Sequence, residues 1–245
     1  MRMENMINNN SDANENKELM EKYQEFKKKH PYVYLKRFFD LILTLLFSPI
    51  IIIIVVIFAI IVKVDSKGPA FYTQQRVGQA GKEFKIYKLR SMRVDAEVNT
   101  GAVWAEKNDP RITKVGRFIR KVRIDELPQF LNVLIGEMSI IGPRPERKDL
   151  TDQFESEIPG FKERLLVKPG ITGWAQVNGG YDITPAEKLV FDREYLNAFS
   201  FKQDIVIIFK TIRVVLTGSG ARKSTRESAF SYSCEFMVKL RLINI

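Results

Sequence analysis

The chain predicts a mixed α/β domain, mostly helical with a short β element, carried on an N-terminal membrane-inserted helix. Three patterns predict it. Residues 41–62 form a charge-free apolar run of 22 residues. Glu83–Leu89 alternates in polarity like a half-buried strand. Several later stretches repeat apolar residues at helical spacing. The length of 245 residues suits one membrane segment plus one domain of ordinary size, and 45% hydrophobic residues suffices for a core.

Residues 1–33 come first and are polar, Asn-rich and then charged. Leu19, Tyr23 and Phe26 recur at helical spacing, so residues 17–29 read equally as an interfacial helix or a frayed tail. The membrane segment spans residues 34–62. As a helix, the run over 41–62 measures about 33 Å, close to the hydrocarbon thickness of a bilayer. Its late start, its length and the lack of a small-residue cleavage site exclude a cleaved signal. Ser48-Pro49 lies inside the run, and proline removes a helical donor and clashes with the preceding turn. Both flanks are basic: Lys27, Lys28, Lys29, Lys36 and Arg37 precede the run, and Lys63, Lys67 and Arg76 follow it. The positive-inside rule places both ends on one side. A spanning helix and a re-entrant helix broken at Ser48-Pro49 both remain open on these residues. The Ser48 hydroxyl is one candidate partner for the backbone freed there.

The domain over 63–221 follows. Residues 83–89 predict a strand, with Lys88 and Arg90 on one face. Val115, Phe118, Ile119 and Val122 predict a helix over 114–122, with Arg117, Arg120 and Lys121 opposite. Asp125 then reads as a helix N-cap, with Glu126, Leu127 and Pro128 in the first turn. Gly142-Pro143-Arg144-Pro145 predicts a fixed loop. Residues 185–197 and 203–216 read as helices, and 222–245 form an unassigned, Ser/Arg/Lys-rich tail.

Composition narrows the chemistry. The only histidine is His30, in the N-terminal tail, and the only cysteine is Cys234, near the C-terminus. That disfavours a Ser-His-Asp triad, a cysteine nucleophile and a His/Cys metal cage. One cysteine forms no intramolecular disulfide, as expected of a domain in reducing cytosol. The net charge of +10 fits nucleic acid, anionic lipid or a phosphate-bearing substrate. Fifteen Lys/Arg stand against seven Asp/Glu between Lys63 and Asp125, so the excess concentrates between the apolar run and the adjacent carboxylates Asp125 and Glu126. No aromatic platform or reading helix for nucleic acid is evident.

The candidate chemistry therefore rests on carboxylates and cations. Asp125 and Glu126 follow a basic run, where helix dipole and neighbouring charge favour the ionised form needed by a nucleophile or a Mg²⁺ ligand. A plain helix cap explains the same residues. Lys88 and Arg90 suit a diphosphate or simply a soluble strand edge. Arg144, between prolines, presents its fork in a fixed place. Trp174 and Gly173 fit a core turn or a nucleotide pocket.

These segments together resemble the bacterial polyprenyl-phosphate sugar-1-phosphate transferases, the small monotopic phosphoglycosyl transferases. The resemblance covers roughly residues 34–221. It rests on Lys36-Arg37-Phe38-Phe39-Asp40, Ser48-Pro49, the 84–92 strand region, residues 120–129, Asn132-Val133-Leu134, Gly136-Glu137-Met138-Ser139, residues 142–145 and residues 168–179. It implies transfer of a sugar phosphate from a UDP-sugar to undecaprenyl phosphate, giving undecaprenyl-diphospho-sugar and UMP and starting a capsule or exopolysaccharide. Asp125 would be the nucleophile that forms a phospho-aspartyl intermediate, and Glu126 would complete the pair. Both would hold Mg²⁺. Lys88, Arg90, Arg120, Arg144 and Asp192 would bind substrate, and Ser48-Pro49 would make the membrane helix re-entrant. The domain would face the cytoplasm at the plasma membrane, against membrane lipid, without nucleic acid and with downstream glycosyltransferases as partners. Where some members carry a phosphate-binding Arg after Asn178-Gly179, this chain has Gly180, so Arg144 or Arg193 would have to supply that contact. Gly180-Tyr181-Asp182 favours the exopolysaccharide and capsule branch. The rival reading is a non-catalytic membrane adaptor that binds acidic lipid or a partner protein. It predicts that Asp125→Asn leaves its function intact.

Overall fold

The computed structural model describes residues 2–96, 109–179 and 183–217, with side chains from Asn16 onward. The expectations for Gly180-Tyr181-Asp182, Cys234 and the 222–245 tail lie outside the described residues.

The chain opens with helix α1 (Arg2–Lys29) and helix α2 (Tyr32–Asp65). In α1, Leu19 is buried with Val77 and Leu165, and Phe26 packs edge-on against Phe199. The periodicity at Leu19 and Phe26 therefore serves a contact with the domain itself.

α2 has 34 residues, about 51 Å at the standard helical rise. It passes through Pro49 as one helix, not the two helices expected from a break. The reason is local. Pro49 has no N–H for the Leu45 carbonyl, and the Ser48 hydroxyl donates to that carbonyl instead, at 2.8 Å. The middle of α2 is bare: Leu45, Leu46, Ile50 and Ile53 are each about 60% exposed. It is the one described helix long and apolar enough to cross a membrane.

Both ends of α2 are tied to the domain. Near its start, Lys36 pairs with Asp204 at 2.5 Å, and Asp40 accepts from Ser139 Oγ and the Ile140 amide. Arg37 donates to the Val133 and Leu134 carbonyls. Near its end, Val62 is buried with Leu89 and Ile119, and Phe58 stacks on Phe118.

Strand β1 (Phe71–Val77) pairs antiparallel with β2 (Glu83–Leu89), from Phe71 opposite Leu89 to Val77 opposite Glu83. The β2 bounds match the expected alternation. Phe84 and Ile86 point to a core shared with Val133 and Met138. Helix α3 (Lys114–Lys121) is capped by Thr113, whose hydroxyl accepts from the Gly116 amide. A 3₁₀ turn over Ile124–Gln129 leads into the short helix α4 (Phe130–Ile135).

Strand β3 (Ser139–Ile141) pairs in parallel with β4 (Gly170–Thr172). Between them lie helix α5 (Lys148–Glu157) and a 3₁₀ turn over Phe161–Leu166. Helices α6 (Trp174–Asn178), α7 (Pro185–Asn197) and α8 (Phe201–Thr217) complete the domain. Thr184 and Glu187 form a reciprocal capping box at the start of α7. Tyr195, Leu196, Phe199 and Ile207 from α7, α8 and the link between them close a core on Ile141 and Val167.

Candidate active site

Lys88 from β2, Arg144 from the loop after β3, and Arg123 all reach Glu126, beside Asp125. The turn that presents the acidic pair is strained. Arg123 has φ 60, a left-handed backbone that is uncommon for a residue with a Cβ. It reverses the chain after α3, and its guanidinium lies 3.5 Å from Glu126 Oε2.

Asp125 is not the helix N-cap that its residue type suggests. The cap position belongs to Arg123, and Asp125 lies inside the 3₁₀ turn. An Asp cap needs extended backbone and an amide for its side chain to accept from. Here the left-handed turn comes earlier and releases the Asp125 carboxylate.

The two acids differ sharply. Lys88 Nζ donates to Glu126 Oε1 at 3.3 Å. Arg144 donates to Glu126 Oε1 through one nitrogen and to Oε2 through the other at 3.4 Å. Burial works to raise the Glu126 pKa, but the charges of Arg144, Lys88 and Arg123 overcome it and hold the carboxyl well below the usual carboxylate range. Asp125 is 8% exposed and accepts no hydrogen bond among the described residues. Burial first, and the Glu126 charge second, push its pKa up to about 6 against Lys88, Arg120 and Arg144. The sequence expectation was the opposite, with dipole and cations winning. Desolvation and a like charge outweigh them.

Lys88, Arg120, Asp125, Glu126 and Arg144 thus share one electrostatic site. Burial lowers the Lys88 pKa, with Glu126 opposing. Arg120 lies in the last turn of α3, and its guanidinium makes no hydrogen bond among the described residues, which leaves it available to an anion.

Arg90 and Asp192 are placed elsewhere. β2 stops at Leu89, so the strand parity that aligned Arg90 with Lys88 no longer applies. The buried Arg90 guanidinium donates to the carbonyls of Ser66 at 2.6 Å and Lys67 at 2.7 Å, closing the C-terminal end of α2. That places it as a clamp on the helix end, apart from the Lys88–Asp125–Glu126–Arg144 cluster. Asp192 is 1% exposed and accepts from Arg164 at 2.9 Å, away from the cluster around Asp125. Arg193 pairs with Glu163 at 2.8 Å.

Trp174 sits on the core-turn side of the two readings. It packs against the α7–α8 core, donates to Glu194 at 2.9 Å and carries Lys210 over its ring at 4.3 Å. Gly173 is packed so closely that a Cβ would lie 2.1 Å from the Gly142 carbonyl oxygen.

Sequence reasoning missed Arg76, Glu146 and Arg164. Glu146 is buried and accepts from Lys188 at 2.7 Å, with Arg76 at 3.7 Å and Arg164 at 3.9 Å. Glu146 follows Pro145 directly, and that adjacency to the fixed loop was the one available signal.

The donor set bears on a divalent cation. Among the described residues no three acidic, His or Cys side chains converge. Cations crowd both Glu126 oxygens, so Glu126 does not fit as a metal ligand in this arrangement. Asp125 fits as one ligand. That suits Mg²⁺, which commonly uses one or two carboxylates plus substrate phosphates.

The bacterial sugar transferase family matches residues 31–218. The chain is 46% identical over 194 residues to the UDP-N-acetylgalactosamine-undecaprenyl-phosphate N-acetylgalactosaminephosphotransferase of Aeromonas hydrophila, covering 78% of this chain and 46% of that protein. It is 54% identical over 134 residues to a putative undecaprenyl-phosphate N-acetylgalactosaminyl 1-phosphate transferase of Bacillus subtilis (strain 168), covering 55% of this chain and 74% of that one. It is 44% identical over 183 residues to the UDP-glucose:undecaprenyl-phosphate glucose-1-phosphate transferase of Escherichia coli (strain K12), covering 73% of this chain and 39% of that one. The chain thus spans less than half the length of the Aeromonas and Escherichia relatives. With the match running from the first turn of the apolar helix to the end of α8, through every residue of the Lys88–Asp125–Glu126–Arg144 site, the chain belongs to the bacterial sugar transferase family.

Proposed function

We propose that the chain transfers a sugar-1-phosphate from a UDP-sugar to undecaprenyl phosphate, releasing UMP and starting a capsule or exopolysaccharide. The observation that carries this reading is the asymmetry of the acidic pair. Glu126 is saturated by Lys88, Arg123 and Arg144, while Asp125 keeps a buried carboxylate with no hydrogen bond among the described residues. A carboxylate stripped of hydrogen bonds and water is a stronger nucleophile than a solvated one.

An Asp125 oxygen attacks the sugar-linked phosphorus. The bond from that phosphorus to the bridging oxygen breaks, and UMP leaves with the electron pair. An oxygen of undecaprenyl phosphate then attacks the phospho-aspartyl phosphorus and releases the Asp125 carboxylate. Arg144, Lys88 and Arg120 face the charge that develops on the phosphoryl oxygens. Glu126 holds Lys88 and Arg144 in place between turnovers. Mg²⁺, carried largely by the diphosphate with Asp125 as protein ligand, would supply charge neutralisation.

The reading of the membrane path rests on α2. Both of its ends bind the same domain, through Lys36, Arg37 and Asp40 at one end and Phe58 and Val62 at the other. A straight crossing would put those contacts on opposite sides of a bilayer. We therefore read α2 as re-entrant, bent at Pro49, with the domain on the cytoplasmic face among anionic headgroups. An adaptor has no use for a desolvated carboxylate of raised pKa, so nothing in the site favours that rival.

The test is UMP release by the purified chain in nanodiscs with Mg²⁺, undecaprenyl phosphate and a panel of UDP-sugars. UMP from a donor, together with a phosphosugar adduct on the Asp125 peptide by mass spectrometry, is expected. UDP in place of UMP, or turnover by Asp125→Asn, sinks the reading.

A further inference from the structure

The loop over residues 142–146 presents Arg144 to Glu126, and its backbone is anchored at every residue. The Gly142 amide donates to the Thr172 carbonyl at 2.9 Å, and the Pro143 carbonyl accepts from the Gly170 amide at 2.9 Å. The Arg144 carbonyl accepts from the Arg164 guanidinium at 2.9 Å. The Pro145 carbonyl accepts from Arg76 at 3.3 Å, and the Glu146 carbonyl accepts from the Val77 amide at 2.9 Å. Prolines at 143 and 145 donate nothing, so the middle of this loop cannot join a sheet ladder and must be held through its carbonyls. Arg164 grips it at the residue whose side chain enters the site.

Arg164 is itself fixed. It is 3% exposed, too buried to swing out to a substrate. Its Nε and one terminal nitrogen reach the same Asp192 oxygen at 2.9 and 2.8 Å. The guanidinium plane lies over the Phe161 ring at 4.8 Å, and the other terminal nitrogen lies 3.9 Å from Glu146. A planar fork with several fixed donors can satisfy Asp192 and the Arg144 carbonyl together, whereas an ammonium cannot reproduce that geometry.

We propose that Arg164, oriented by Asp192, is a positioning residue that holds Arg144 against the Asp125-Glu126 pair. The inference rests on the transferase reading above. Asp192 thereby acts at two removes from the reaction, through Arg164 and then Arg144. Displacements near 1 Å cost on the order of 10²-fold in rate when reacting geometry depends on them.

The test measures UMP release by the full chain in nanodiscs for wild type, Arg164→Lys, Arg144→Lys and the double variant, with thermal melts alongside. Arg164→Lys is expected to lower kcat about 10- to 100-fold, more than it raises KM for the donor. In the Arg144→Lys background the same change is expected to add less than about twofold, because its route of action is already cut. Additive losses overturn the proposal, since a purely structural Arg164 acts independently of Arg144. Wild-type kcat in Arg164→Lys overturns it too. If Arg164→Lys fails to fold, the near-isosteric Asp192→Asn takes its place in the same cycle, with the same two criteria. A wild-type protein that releases no UMP sinks the underlying reading, and this proposal with it.

Discussion

Asp125 and Asp204 are both buried, at 8% and 4% exposed, and their surroundings are opposite. Asp204, on α8, accepts from Tyr32 at 2.7 Å, Lys36 at 2.5 Å and Tyr195 at 2.8 Å. It is satisfied by donors from α2 and α7, and it locks the start of the apolar helix α2 to the domain. Asp125 has cations nearby and no hydrogen bond among the described residues. A satisfied buried acid has nothing left to offer a ligand. An unsatisfied one keeps its desolvation cost in the ground state and recovers it only when phosphorus or a cation arrives. Burial alone therefore does not separate structure from chemistry here; the count of donors does.

The largest break in that comparison comes from removing each charge. Asp125→Asn is expected to lower UMP release by at least about 10⁴-fold, because an amide oxygen is a poor nucleophile. Its stability should move the other way. Asp125 has a raised folded pKa, so its contribution to stability is full below the usual carboxylate range and is lost as pH rises through about 6. Above that pH the buried carboxylate is a net cost, and the Asn variant should melt slightly higher than wild type in calorimetry.

Asp204→Asn should do the reverse. It removes the one carboxylate within salt-bridge distance of the buried Lys36 among the described residues and leaves it only the Asp40 charge nearby, at a cost of up to about 3–5 kcal/mol. Turnover per folded molecule should stay near wild type. A melting point unchanged by Asp204→Asn, or activity lost in proportion to nothing but the folded fraction in Asp125→Asn, erases the distinction between the two acids.

A pH titration sharpens it further. Activity should fall as pH drops through about 6, where Asp125 takes up a proton. Glu126→Gln removes the like charge and frees Lys88 and Arg144 to face Asp125, so the Asp125 midpoint should move down. Carboxyl carbon NMR on Mg²⁺-free protein reads that midpoint directly, and an upward move contradicts the electrostatic account.

The same contrast explains what was legible in the sequence. Lys88, Asp125, Glu126 and Arg144 stood out because unusual residues sit in tight local patterns, and the structure joins them. Arg90 lies apart from them because strand parity ends with β2 at Leu89, and the next side chain turns to the α2 carbonyls. Arg164 and Asp192 are 28 positions apart, and no periodicity marks a pair that only the fold creates. Among the strands, β2 was readable from its alternation. β1 hid behind Thr73, Gln74, Gln75 and Arg76, which face outward or sideways on an exposed strand. The three-residue strands β3 and β4 are too short to carry any pattern.

The smallest expected effect concerns the middle of α2, the region with no buried charge at all. The Ser48 hydroxyl replaces the amide that Pro49 cannot offer to the Leu45 carbonyl. On the proposed membrane path, Ser48→Ala removes that donor where water would not take its place. The expected cost is about 1 kcal/mol, comparable to measured side-chain hydrogen bonds inside membranes. Pro49→Ala acts in the opposite sense, because it restores the amide and favours a straight helix. Cysteines placed at residues 35 and 64 and labelled from one side of sealed vesicles separate the two. Ser48→Ala should keep both ends accessible from the same side. Pro49→Ala should weaken that one-sidedness only as far as the grip of Lys36, Asp40 and Val62 on the domain allows. If neither substitution moves labelling or stability, the re-entrant path proposed for α2 does not depend on this pair and rests on its two tethered ends.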